Sequence, residues 1–292
     1  MGFRTIIIKN RAKLEHRLNS LVIRADEEKK IYLGEINTLI IQSTAVSLTA
    51  SLLNELTKNN VKVIFCDEKC NPSAELLPYY GAHNTSKRYK EQFAWSEYLK
   101  GEVWKLVIKR KIQMQAQLLA ERNFCEQSEM LVAYAKTVES GDITNREGHS
   151  AKVYFNSILE GFSRNDDTFY NACINYGYAI LLSAFNREIV ASGYLTQIGI
   201  WHNNEFNEFN LACDLMEPLR PIVDKTAFYI ELGDASFKRK MINVLNYKTK
   251  IAGKETTLDL AIRTYVKSVF NALREEDISL ITFIEDVEVT VE

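Results

Sequence analysis

Apolar residues along this chain change their spacing once, near residue 80. Before that point they fall in short runs rich in Ile and Val, at 4–8 (RTIII), 20–24 (SLVIR), 30–33, 38–42 (TLIIQ) and 61–67 (VKVIFCD). β-branched residues suit a pleated, half-buried surface, so these runs predict strands separated by turns. Between the last two, SLTASLLNEL at 47–56 has helical spacing and opens on a serine suited to an N-cap. After residue 80 the apolar positions recur three and four apart, which predicts helices over 86–120, 146–159, 170–192, 211–232, 236–247 and 258–273. Pro72 and Pro78 punctuate the junction, and no further proline follows until Pro218. The pattern predicts an α+β chain with a small β-rich domain over 1–79, a linker over 80–88 and an all-α domain over 89–292. The acidic tail, 278–292, alternates apolar and polar residues and reads equally as a late strand or a loose end.

Composition narrows the class without naming a chemistry. A chain of 292 residues with 46% hydrophobic and 25% charged residues is an ordinary globular protein large enough for two domains. Five cysteines, with no CxxC pair, indicate neither a disulfide framework nor a zinc ribbon, so they read as reduced thiols. The first eleven residues carry charges and no apolar core of an export signal. The apolar stretch 178–200 is broken by Asn186-Arg187-Glu188, which suits a buried helix and not a membrane span. A cytoplasmic location is expected.

Charge changes the picture more. Residues 81–122 hold nine Lys and Arg against four Asp and Glu, whereas residues 123–292 hold sixteen against twenty-five. A basic segment beside an acidic body suits a protein that grips a polyanion and gathers cations at a site; a solvated helix face gives the same count. Lys87, Arg88, Lys109, Arg110 and Lys111 are the candidate phosphate-backbone contacts, with Lys90, Lys100, Lys105 and the Lys238-Arg239-Lys240 run behind them.

Candidate chemistry concentrates at 201–221, WHNNEFNEFNLACDLMEPLRP. His202, Asp214 and Glu217 are metal-ligand or acid/base types, and Arg220 is a phosphate-binding type. Asp214 and Glu217 share a helix face at a spacing of three, and Pro218 and Pro221 stiffen the backbone beside Glu217 and Arg220. A lone histidine is also commonly structural, and paired acids near a helix break are commonly just solvated. Upstream, NREGH at 145–149 opens a helix, and Thr144-Asn145-Arg146-Glu147 fits an S/T-x-x-E capping box, so Glu147 serves either as a cap or at a site. His149 lies about 200° around that helix from Glu147, so the two do not face one ion. No P-loop, GxGxxG, GxSxG or HExxH occurs, which leaves nucleotide-dependent, hydride-transfer and zincin chemistries without support.

Read in order behind a β-rich start, NREGH, NYGY at 175–178, WH at 201–202 and DLMEPLRP at 214–221 resemble the CRISPR adaptation integrase family, the metal-dependent endonuclease that inserts new spacers. IFCD, PYY at 78–80, FAWSE at 93–97 and TQIG at 196–199 fit as well, and the resemblance covers essentially the whole chain, nearest to short type II members. It implies that Glu147, His202 and Glu217 are the metal ligands, that Arg220 contacts DNA phosphate and that Asp214 supports the site. It implies Mg²⁺ or Mn²⁺ as cofactor and integration of a prespacer by attack of a 3′-hydroxyl on the phosphodiester at the repeat border of double-stranded DNA. It implies a homodimer paired through the β-rich domain, with two dimers bridged by a small ferredoxin-like adaptation protein into a heterohexamer. In type II systems the effector nuclease and a ring-shaped DNA-end-binding protein join it. A general metal-dependent nuclease for branched DNA and a non-catalytic DNA-binding scaffold are the alternatives.

Overall fold

The computed structural model describes residues 2, 4–78, 82–158 and 168–290. Tyr79, Tyr80 and Gly81 at the junction and Leu159 at the expected end of a helix lie outside these residues. The chain divides into two compact units, Met1–His83 and Asn84–Glu292.

The first unit holds β1 (Arg4–Ile8), β2 (Ala12–Arg17), β3 (Ser20–Arg24), β4 (Glu28–Tyr32), β5 (Ile36–Ile41), β6 (Val46–Leu48), α1 (Ala50–Lys58), β7 (Lys62–Cys66) and β8 (Pro72–Leu76). They form two four-stranded sheets, ordered β1-β5-β7-β8 and β4-β3-β2-β6. Central β5 and β7 are parallel to their neighbours β1 and β5, and their near-continuous apolar sequence is what burial on both faces requires. Helix α1 touches β2 of one sheet and β7 of the other, and its Leu52 and Leu56 join Leu14, Leu21, Leu39 and Val63 in a core with almost no exposure. β2 was not expected. Only Ala12 and Leu14 of AKLEHR face the core, and a two-residue turn with both Leu18 and Asn19 at positive φ pairs it tightly with β3. The cap of α1 is Thr49, whose hydroxyl accepts the Leu52 N–H at 3.3 Å; the expected cap, Ser47, lies in β6.

The second unit contains α2 (Thr85–Phe93), α3 (Glu97–Glu121), α4 (Cys125–Lys136), α5 (Arg146–Ile158), α6 (Phe169–Ala191), α7 (Asn210–Met216), α8 (Arg220–Phe228), α9 (Phe237–Asn243), β9 (Lys248–Ile251), β10 (Lys254–Thr257), α10 (Leu258–Glu275) and β11 (Ile284–Val287). It is helical, with one addition to the all-α expectation: a small sheet ordered β10-β9-β11, which takes up part of the acidic tail as β11. The single helix expected over 86–120 is two, because Ser96 caps α3 by accepting the Leu99 N–H at 3.2 Å while buried Trp95 fills the break. The helix expected over 211–232 is likewise interrupted by a 3-10 turn, Glu217–Leu219, where Pro218 has no N–H to continue the α-helical ladder.

Long α3 runs through the unit and packs on α4, α5, α8 and the Glu217–Leu219 turn. Its buried positions, among them Val103, Trp104, Val107, Ile108, Ile112 and Leu119, leave one interior position to a cation, Lys111. That choice positions the site.

Candidate active site

Two chain segments converge on Lys111, and a third closes on Glu217. The start of α5 brings Glu147, whose Oε1 accepts a hydrogen bond from Lys111 Nζ at 2.6 Å. The 3-10 turn brings Glu217, whose Oε2 lies 2.5 Å from the same Nζ. The first residue of α8, Arg220, donates from Nε to Glu217 Oε1 at 2.7 Å. Glu217 is thus held between an ammonium and a guanidinium, with both its oxygens engaged and only 3% of its surface exposed.

Burial alone would raise the Glu217 pKa, but the Lys111 and Arg220 charges outweigh it, and the net shift is downward. For Lys111 burial alone would lower the pKa; Glu217 and Glu147 reverse that, and the net shift is upward. Arg220 follows the same pattern, with desolvation overcome by Glu217. All three groups are held in their charged forms. Beneath Arg220 lies Tyr178 of α6, whose ring centroid is 4.6 Å from the guanidinium carbon and whose hydroxyl donates to Asp224 Oδ1 at 2.7 Å. Tyr154 of α5 donates to Asp224 Oδ2 at 3.0 Å, so Asp224 ties α5, α6 and α8 together behind the site.

The start of α5 shows why Glu147 is free to reach Lys111. The expected capping box is not formed. Asp142 accepts the N–H groups of Arg146 (2.8 Å) and Glu147 (2.9 Å), and Asn145 accepts that of Gly148 (3.1 Å), so Thr144 and the Glu147 side chain cap nothing. Asp142 and Asn145 both sit at positive φ, a conformation that Asp and Asn tolerate better than other side chains. His149 packs by Tyr134, ring centroids 6.3 Å apart.

His202 lies in the irregular segment between α6 and α7, and Asp214 of α7 organises that segment. Its fully buried carboxylate accepts the N–H groups of Ile200 (2.6 Å), Trp201 (2.9 Å) and His202 (3.0 Å), and Oδ1 lies 2.5 Å from His202 Nδ1. A carboxylate taking three backbone N–H bonds is an acceptor, so Nδ1 carries the proton and Nε2 is left as the donor atom of the ring. The Asp214 hydrogen bond raises the His202 pKa, burial opposes it, and the charges of Asp214, Glu217 and Glu147 add to a net upward shift. Gly199 leaves room for this arrangement: a Cβ there would stand 2.4 Å from the His202 carbonyl oxygen and 2.7 Å from Asp214 Oδ2. Trp104 of α3 stacks on Trp201 (6.0 Å, 10°) and meets the His202 ring edge-on (5.5 Å, 87°), which fixes the imidazole from a second side.

Two members of the basic run on α3 are engaged inside the unit. Lys111 is buried between two glutamates, and Arg110 donates to the carbonyls of Ile284 and Glu285 at 2.6 and 3.0 Å, pinning β11. Both charges are engaged within the unit. Arg88 is engaged with Glu91 (2.8 Å) and the Tyr194 ring, whereas Lys87 is exposed and Lys109 half-buried. Lys111 and Tyr178 as parts of the site were missed; the buried, apolar-flanked lysine on α3 was the available signal for the first.

The donor chemistry suits a divalent cation. Two carboxylates already share one positive charge, and an imidazole with its Nδ1–H tied to a carboxylate stands in their field. The side chains are closed on Lys111, however: among the described residues, no three His, Cys, Asp or Glu side chains converge as a ready metal cage.

A β-rich unit followed by a helical unit is a fold shared with several solved structures. A casposase bound to integration product superposes with a TM-score of 0.77 at 22% identity, covering 96% of this chain and 93% of that one. A Cas6-RT-Cas1–Cas2 complex gives 0.73 at 18% identity over 100% of this chain and 36% of that one, and a Cas1 protein from Thermotoga maritima 0.69 at 15% over 97% and 100%. The family model for CRISPR associated protein Cas1 matches residues 5–250. The CRISPR-associated endonuclease Cas1 of Neisseria meningitidis serogroup C (strain 8013) is 34% identical over 277 residues, covering 92% of this chain and 91% of that protein. A Cas1 endonuclease of Pyrobaculum aerophilum is 27% identical over 216 residues, 67% and 70% of the two chains. The chain belongs to the Cas1 family.

Proposed function

We propose that this chain is a metal-dependent DNA integrase and endonuclease that inserts prespacer DNA into a CRISPR array by attack of a 3′-hydroxyl on a repeat-border phosphodiester. The carrying observation is the meeting of Glu147 and Glu217 on one buried cation beside an imidazole whose Nδ1–H is fixed by Asp214. Family membership and the fold shared with a casposase bound to integration product support it.

Glu147, Glu217 and His202 Nε2 would hold Mg²⁺ or Mn²⁺, which would supply Lewis-acid polarisation of the phosphodiester and a lowered pKa for the attacking hydroxyl. The protein's own groups do the rest. Arg220 spends Nε on Glu217 and keeps its terminal N–H groups for an equatorial phosphate oxygen, where negative charge grows as phosphorus becomes pentacoordinate. Tyr178 beneath the guanidinium holds its plane. Asp214 fixes which imidazole nitrogen keeps its lone pair, and Trp104 shields the ring from one side. Attack by water in place of the 3′-hydroxyl gives strand cleavage.

The wider assembly belongs to the same reading. Solved Cas6-RT-Cas1–Cas2 complexes share this fold, and the reading extends to a homodimer bridged by a small ferredoxin-like partner on double-stranded DNA. The type II effector nuclease and ring-shaped end-binding protein come with it, as does a cytoplasmic location; among the described residues no helix is long and apolar enough to cross a membrane.

A duplex with free 3′-hydroxyls, incubated with a supercoiled repeat-bearing plasmid, tests the proposal. With Mn²⁺ we expect donor joined to plasmid, and with EDTA none. Cutting without joining would reduce the chain to a nuclease; indifference to EDTA would remove the metal.

A further inference from the structure

The cation that holds Glu147 and Glu217 together is the protein's own. Lys111 Nζ is 2.6 Å from Glu147 Oε1 and 2.5 Å from Glu217 Oε2, and the lysine is 8% exposed in the middle of a long helix whose neighbouring interior positions are apolar. Neither surface solvation nor packing accounts for it. An ammonium in such a place is retained only where anions compensate it, and each of the two carboxylates is compensated in return. The position between them is therefore already filled. A divalent ion bound by the same two oxygens would sit about 2.0–2.6 Å from each, a space that cannot also contain Nζ. Charge leads to the same conclusion. Lys111 and Arg220 together already balance Glu147 and Glu217, so a divalent ion added beside both would leave the pair overcompensated by two charges.

We infer that Lys111 is a resident counter-cation that competes with the divalent ion for Glu147 and Glu217, so that metal enters only as the Lys111 ammonium withdraws. The inference rests on the metal-dependent reading above. In the metal-free protein Lys111 keeps the two glutamates paired and folded in; with metal bound, it gives up both contacts. The closed geometry, in which no ready metal cage exists among the described residues, is then a resting state of the site. Metal affinity measured on the whole protein is weakened by the fraction of molecules in which Lys111 occupies the site.

Two measurements on the full chain without DNA test this. Mn²⁺ is titrated calorimetrically into wild type and Lys111→Met, which keeps the length and removes the charge. If the open state is a tenth of the population or less, Lys111→Met binds Mn²⁺ at least about tenfold more tightly. It also melts at a lower temperature than wild type in EDTA and gains more from Mn²⁺. Equal or weaker binding by Lys111→Met, with wild type still binding, overturns the competition and leaves the metal reading intact. No binding by either protein at millimolar Mn²⁺ overturns both. The second measurement needs no variant: the acetylation rate of Lys111 in wild type, read by peptide mass spectrometry, rises when Mn²⁺ is saturating. A rate unchanged by saturating Mn²⁺ overturns the inference even if Lys111→Met does not fold.

Discussion

The helical unit contains two buried charge clusters built from the same parts, and they do different work. In one, Arg187 of α6 pairs with Glu188 (2.8 Å) and with Asp259 at the start of α10 (2.7 Å), and Arg263 stands 3.8 Å from Glu188. Its three central side chains are all exposed by a tenth or less. In the other, Lys111 and Arg220 pair with Glu147 and Glu217, but Glu147 remains 29% exposed and the neighbouring His202 41%. The first cluster lies within and between regular helices, with every charge facing another element of the same unit. The second lies where a helix start, a 3-10 turn and an irregular segment meet, so one side stays open. Ion pairing alone does not mark a site; ion pairing with an open side, irregular backbone and an imidazole at the edge does.

Stability and activity should therefore separate between the two clusters. Arg187→Met and Glu217→Ala each remove a central member of a buried charge network, and each should cost about 3–5 kcal/mol in urea melts of the metal-free protein. Per folded molecule, Arg187→Met should keep strand transfer while Glu217→Ala loses it. Loss of transfer in both would erase the distinction. The supports of His202 come next. Asp214→Ala removes the acceptor of three backbone N–H groups and the ring, and should cost about 3 kcal/mol together with activity. His202→Ala should cost under about 1 kcal/mol and lose activity all the same. The smallest effect on activity is expected at Gly199→Ala, where a Cβ 2.4 Å from the His202 carbonyl must displace that loop, lowering stability by about 1–2 kcal/mol and transfer several-fold. An unchanged rate there would show that the loop yields without moving the imidazole.

Much of this was legible in the sequence, and the gaps have physical causes. Strands rich in Ile and Val such as RTIII and VKVIFC announced themselves, whereas AKLEHR and PSAEL, with few β-branched residues, did not. Helical periodicity runs through Ala94 to Ser96 without a break in pattern, so the joint between α2 and α3 was hidden although Ser96 and Glu97 carry a cap signature. At the site, the 201–221 segment stood out by residue type. Glu147 was ambiguous because T-x-x-E fits a capping box; only the fold shows Asp142 performing that task. Lys111 was misread for the opposite reason. Its neighbours Lys109 and Arg110 make it look like part of a surface run, and its carboxylates come from residues 36 and 106 positions away, a pairing that only tertiary packing creates.

On the proposed reading Glu147 and Glu217, brought together from distant segments, work with His202 as one metal-dependent centre. Strand transfer from a 3′-hydroxyl duplex into a repeat-bearing plasmid with Mn²⁺, run for Glu147→Ala, His202→Ala and Glu217→Ala, tests it most directly. No joined product is expected from any of the three while circular dichroism shows each remains folded. Joined product at the wild-type level from any one of them would contradict it.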